Sequence, residues 1–295
     1  MKGFLYAFLA VFVCGGLVLL DPYGWLHRRD EPVYDSTAID TTAWNEDDVL
    51  SPVLMDGNMM TFTANGVSFT MVYVDGGTFT MGATSEQGSD ANNHEKPAHS
   101  VTLSDYYIGE TEVTQSLWKA VMGSLPSGIS SSSYDLEGAQ RPVCYVSWDD
   151  CQTFLSRLNS LTGQHFKLPT EAQWEYAARG GNKSRGSKYS GSVNVGEVAW
   201  YTGNTSDKGS RDVKTKQPNE LGLYDMSGNV EEWCQDWYGS YSSGSQTNPT
   251  GPASGSDRVY RGGSWGCLAR GCRVSVRCND APSYRFGYLG LRLAL

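Results

Sequence analysis

Three helix starts are written into this chain, short and far apart. Thr114 opens one stretch, Ser147 stands three residues before Asp150, and Thr170 stands three before Gln173 with Pro169 just ahead of it. A hydroxyl at the N-cap with an acid or amide at the third position satisfies two backbone N–H groups that the first turn leaves without partners. The spacing predicts helices from Thr114 through Met122, from Ser147 to about Leu161, and from Thr170 to a stop at Gly180-Gly181. The rest of the chain reads differently. Val67 to Met81 alternates β-branched and aromatic residues around Asp75-Gly76-Gly77, which predicts a hairpin. Gly82 to His99 is a polar loop, and Ser100 to Ile108 is a further strand. About fifty residues after Gly181 are rich in Gly, Asn, Ser and Tyr with little periodicity. Few short helices, many short strands and long connections define an irregular, loop-rich α+β domain.

The net charge of −9 gives no electrostatic footprint for nucleic acid, so that class of partner is set aside. Gly3 to Leu20 is uncharged and apolar, long for a signal-peptide core and short for a spanning helix. We read residues 1–27 as a membrane anchor or signal segment and the protein as exported, membrane-anchored, at the cell surface or in the envelope. Arg28 and Arg29 weigh weakly the other way. Residues 28–66 carry Asp30, Glu31, Asp35, Asp40, Glu46, Asp47 and Asp48 without clear periodicity and read as an acidic linker, or as an irregular wrap on the domain that follows. Residues 67–295 form that domain. The seven cysteines (14, 144, 151, 234, 267, 272 and 278) include no CxxC pair, and their odd number leaves at least one thiol unpaired within the chain. His94 and His99 lack a third ligand and read as solvated loop residues.

Six segments in order, MVYVDGGTFTMG (71–82), YIGETEVTQSLW (107–118), PVCYVSWDDC (142–151), KLPTEAQWEYAARGG (167–181), NELGLYDMSGNVEEW (219–233) and RGGSW…GLRLA (261–294), resemble the formylglycine-generating enzyme (sulfatase-modifying factor) family. The resemblance covers Val67 to Leu295 and implies that family's C-type lectin-like fold, which serves enzymes and binding modules alike. In its enzymes two cysteines five positions apart after the GGS turn bind Cu(I) and support oxygen-dependent oxidation of a substrate cysteine to formylglycine. Cys267 and Cys272 fall on those positions, and two thiolates are soft ligands suited to Cu(I). The enzymes place an aromatic residue where this chain has Glu231, in Gly228-Asn229-Val230-Glu231-Glu232-Trp233. Asp225, Gly228, Val230 and Glu232 fall on positions that hold Ca²⁺ in the enzymes, with hard oxygen donors suited to that ion. A polar turn stapled by Asp and Glu is the other reading of those four.

The segment 261–295 carries a second pattern. A frame, RGGSW…AR.CRVS.R…APS.R…LGLRLAL, is interrupted at Gly266, Cys267, Leu268, Gly271, Val276, Cys278, Asn279, Asp280, Tyr284, Phe286, Gly287 and Tyr288. With Asn at all twelve it resembles the template repeat of a diversity-generating retroelement, whose adenine-directed mutagenesis turns AAY codons into NNY. NNY cannot encode Trp, Met, Lys, Glu or Gln, and none of the twelve is one of these. The resemblance implies a variable protein, non-enzymatic, that meets an unknown protein or surface ligand through these positions. On that reading no residue is catalytic, Cys267 is a variable position and Cys272 belongs to the frame. On the copper reading, Cys267 and Cys272 are the metal pair. Diversified positions should lie on exposed loops, where substitution barely touches stability, with Tyr284, Phe286 and Tyr288 as rigid aromatic contacts.

Overall fold

In the computed structural model the described residues are 11–13, 16–18, 53–55, 57–206 and 208–295, the first three stretches as backbone only. Two units separate, residues 1–47 and 48–295. In the first, β1 (Val11–Val13) and β2 (Gly16–Val18) pair antiparallel. The expected anchor over Gly3–Leu20 otherwise lies outside the described residues, among which no helix is long and apolar enough to cross a membrane.

The second unit begins its sheet earlier than the alternation after Val67 suggests. β3 (Val53–Met55), β4 (Met59–Ala64), β5 (Val67–Val74) and β8 (Tyr106–Gly109) form one antiparallel sheet in that order. Asn65 and Gly66, both at positive φ, turn β4 into β5. Phe62 and Ala64 of β4 are buried, and Phe62 meets Phe69 and Phe166 with ring centroids 5.8 and 5.1 Å away. The stretch expected to be linker up to residue 66 therefore contributes to the core.

The expected hairpin over Val67–Met81 is corrected. β5 and β6 (Gly77–Met81) are both strands, but they belong to different sheets, because β6 pairs with β7 (His99–Leu103) and not with β5. The Gly76 N–H donates to Asp105 Oδ1 at 2.8 Å, and a Cβ on Gly76 would stand 2.4 Å from the Leu103 carbonyl oxygen. That close approach turns the chain out of the first sheet. Likewise Ser100–Ile108 is not one strand but β7 and β8, separated at Ser104-Asp105. β10 (Gln246–Thr247) completes the β10-β7-β6 sheet.

The helices follow their caps. α1 (Gln115–Met122), α3 (Trp148–Thr162) and α4 (Glu171–Ala178) are capped by Thr114, Ser147 and Thr170, whose side chains accept from the N–H of Leu117, Asp150 and Gln173. α2 (Ser127–Ser131), α5 (Val195–Val198) and α6 (Thr202–Thr205) are single turns within loops. Trp118 of α1 stacks on Phe154 of α3 at 4.9 Å. α4 is buried all round, carrying Glu171 and Glu175 into the interior with Trp174 and Tyr176. The last sheet holds β12 (Arg277–Asp280), β11 (Arg258–Arg261), β9 (Glu231–Trp237) and β13 (Leu289–Leu291) in that order, with β12 at one edge and β13 parallel to β9.

Candidate functional site

The C-terminal segment is held to the domain by its frame arginines. Arg261 pairs with Glu175, Arg273 with Glu95 at 2.7 Å, Arg277 with Glu171 at 2.6 Å and Arg292 with Glu232 at 2.7 Å, all with side chains nearly or wholly buried. Arg285 reaches Asp150 at 2.6 Å nearer the surface. Every acid in this set lies outside 261–295. Burial works against ionising Glu95, yet hydrogen bonds from Arg273, Ser275 and the Asn92 N–H overcome it and hold the carboxyl at about 2. Arg261 also donates to the carbonyls of Val274, Ser275 and Val276, so one guanidinium fixes the path of the segment behind it.

The twelve interruptions sit differently. Gly266, Leu268 and Tyr284 are exposed; Cys267, Gly271, Cys278, Asn279, Asp280, Phe286 and Tyr288 are half-buried; Val276 and Gly287 are buried. Exposed loops therefore describe only part of the set. Cys278, Asn279 and Asp280 lie half-buried on β12, an edge strand, and Val276 is enclosed just before it. A Cβ on Gly287 would stand 3.0 Å from the Tyr145 ring, so this position admits a larger residue only if Tyr145 yields.

Five of the twelve (Gly266, Cys267, Phe286, Gly287 and Tyr288) line a cleft of about 580 Å³ together with Tyr134, Tyr145, Glu231, Tyr260, Ser264 and Trp265. Its shape rests on frame contacts. The Trp265 indole N–H donates to the Gly287 carbonyl at 3.1 Å, and its ring lies 4.8 Å from Tyr134. Tyr284, Phe286 and Tyr288 form a ladder of rings at 4.1 and 4.8 Å. The Tyr260 hydroxyl donates to Asp280 at 3.1 Å, joining the cleft to β12.

Glu231 is the one carboxyl lining the cleft. It begins β9, is 6% exposed, and its Oε1 stands 3.8 Å from Cys267 Sγ. Burial pushes its carboxyl up to about 8, and Asp280 adds to the rise. The native state therefore holds a proton that the unfolded chain has released between about pH 4.5 and 8. This contribution to stability is full below the unfolded value and is lost as pH rises through the folded one. Asp236, pushed up to about 7 by burial, acts in the same direction. Glu231→Gln should flatten the fall in Tm between pH 6 and 9 when melts are compared with the parent; an unchanged slope would contradict the assignment to Glu231.

The cysteine positions can be tested against a metal. Cys267 packs beside the wholly buried Cys272, so the two are neighbours. Burial and Glu231 push the Cys267 thiol up to about 11, and burial raises Cys272 well above the usual range. The Cys272 Sγ leans on the Leu268 carbonyl at 4.0 Å. Among the described residues no three His, Cys, Asp or Glu side chains converge as metal ligands would. The Cys267 thiol is held protonated near neutrality, with the Glu231 carboxyl beside it. Iodoacetamide should accordingly modify Cys267 at pH 7.5 on the order of a hundredfold more slowly than a free thiol, read by mass spectrometry.

At the four expected calcium positions both Glu232 oxygens are engaged, one by Arg292 and the other by Arg292 and the Trp174 indole N–H. Asp225 Oδ2 accepts from the Lys214 N–H, while its buried Oδ1 has no hydrogen-bond partner among the described residues. His99 corrects another expectation: it is buried on β7, its ring 4.8 Å from Tyr241, while His94 is exposed.

In the sequence Glu231 stands out only as a departure from a motif, and Tyr134, Tyr145 and Tyr260 carry no signal of a site. Tyr145 lies in the quoted PVCYVSWDDC stretch, but nothing local says that its ring will meet residue 287.

Residues 58–295 match the family described as Sulfatase-modifying factor enzyme 1-like domain. A protein of Streptomyces coelicolor named formylglycine-generating enzyme is 30% identical, over 76% of this chain and 88% of its own length. A Paenibacillus barcinonensis protein named chaperone protein LppX is 34% identical, over 68% of this chain and 79% of its own. Among solved structures, Treponema denticola variable protein 1 superposes with a TM-score of 0.71 at 35% identity, covering 80% of this chain and 98% of that one.

Proposed function

The chain belongs to the sulfatase-modifying factor enzyme 1-like domain family, with its α+β, C-type lectin-like fold, and from that premise we propose that it is a non-enzymatic variable protein that binds a ligand through its C-terminal segment. The observation that carries this reading is the division within 261–295. The frame sends Arg261, Arg273, Arg277, Arg285 and Arg292 to carboxylates elsewhere in the domain. Five of the interruptions, Gly266, Cys267, Phe286, Gly287 and Tyr288, line the aromatic cleft. A scaffold fixed in this way tolerates change at the surface it presents, as antibody frameworks do. The likeness to Treponema denticola variable protein 1 supports the same reading. Export and display at the cell surface, held by the N-terminal segment, complete the proposal.

The test begins with the gene. Pyrimidine-ending codons are expected at all twelve positions, with a near-copy carrying AAY at those codons beside a reverse transcriptase gene. If the locus holds no such copy, diversification is wrong.

A second reading is favoured by one observation, the packing of Cys267 against Cys272. On it, the chain is a copper-dependent oxidase: Cys267 and Cys272 would hold Cu(I), which would supply oxygen activation. Purified protein given Cu(I), oxygen and a cysteine-containing sulfatase peptide is expected to form no aldehyde. Aldehyde that disappears in Cys267→Ser would establish the oxidase instead.

A further inference from the structure

The cleft has a chemical character that does not depend on which residues fill most of the twelve positions. Six aromatic residues line it, and four of them (Tyr134, Tyr145, Tyr260 and Trp265) stand outside the interrupted set. Glu231, also outside the set, is the sole acid among the lining residues, and none of them is basic. Each arginine that enters this part of the fold is spent on a carboxylate elsewhere: Arg261 on Glu175, Arg277 on Glu171 and Arg292 on Glu232. Among the described residues, the side-chain partner of the Glu231 carboxyl is the Cys267 thiol at 3.8 Å. A carboxyl enclosed by rings and without a counter-cation is a costly arrangement to maintain.

We propose that the cleft binds a quaternary alkylammonium group, with Glu231 as counter-charge and the rings of Trp265, Tyr260 and Tyr134 as its walls. Such a group donates no hydrogen bonds and asks only for ring faces and a compensating charge. A cleft of about 580 Å³ has room for a trimethylammonium headgroup and the first atoms of what carries it. This deepens the binding reading above and rests on it for the cleft being a binding site. It divides the recognition in two: a fixed floor that reads the cation, and a variable rim, with Leu268 and Tyr284 at its exposed limit, that reads the remainder of the ligand.

Choline and its uncharged carbon isostere 3,3-dimethylbutan-1-ol distinguish charge from shape, and titration calorimetry on the full chain reads both. We expect choline to bind at least roughly tenfold more tightly than the alcohol at pH 8.5. Glu231→Gln should remove the preference while leaving the alcohol unchanged. Should that variant fail to fold, Tyr134→Leu, at an exposed ring of the cleft, should weaken choline severalfold. Equal affinity for the two probes, or no choline binding at millimolar concentrations, would overturn the proposal. Neither result bears on the codon pattern of the gene, and a missing template copy would leave the choline preference intact.

Discussion

Arg292→Met should cost about 3–5 kcal/mol of stability, the largest loss expected from any single frame position, because it strands a buried charge. Arg292 donates to Glu232 and to the carbonyls of Gly109 and Tyr224, and neither partner of the ion pair has exposed side-chain surface. Two further buried carboxyls share this region. Burial pushes Asp225 up to about 6 and Glu112 well above its usual range, and in both cases Arg292 opposes the rise. Removing the guanidinium leaves Glu112, Asp225 and Glu232 without it. Glu112 and Asp225 would then take up protons in the folded state more readily still. The deficit should accordingly be greatest at alkaline pH and shrink as the medium is acidified. Pairing the change with Glu232→Leu should recover part of the loss, since an apolar pair of similar volume avoids the stranded charge. Urea melts of the three variants at pH 5.5 and 8.5 measure this; an equal loss at both pH values would contradict it.

Trp265→Ala should cost about 3–5 kcal/mol as well, through a different term, the transfer and cavity cost of deleting a buried ring. Trp265 is 3% exposed, its backbone N–H donates to Asn229 at 2.8 Å, and its indole holds Gly287. The same deletion removes the floor of the cleft. Its neighbour Leu268, three residues on and 56% exposed, should by contrast change stability by no more than about 0.5 kcal/mol when replaced by Ser. The two substitutions share a loop, so their difference isolates frame from interruption. Comparable losses would argue that the segment packs as one unit.

The helices were legible because a cap is a local event: Thr114, Ser147 and Thr170 each bond an N–H three residues away. Strand identity was legible too, from alternation. Strand pairing was not, since the hairpin expected at Asp75-Gly76-Gly77 is undone by Leu103 and Asp105, nearly thirty residues downstream. The cleft shows the same limit. The frame and its interruptions could be separated along the sequence, but the carboxylates that anchor the frame, Glu95, Glu171, Glu175 and Glu232, come from three distant elements. Buried acids look like surface acids until their partners are known. Val276 and Gly287 went astray for a related reason: enclosure is decided by what packs over a residue, here Tyr145 in the case of Gly287.

The division between frame and interruptions is tested most directly by two libraries of the full chain. One places NNY codons at the twelve interruptions, and the other places them at twelve frame positions of 261–295, including Arg261, Arg273, Arg277 and Arg292. Folded fractions are read by protease resistance. Most members of the first library should remain folded, with losses concentrated at Val276 and Gly287, while the second should be almost wholly cleaved. Equal survival of the two would contradict the account.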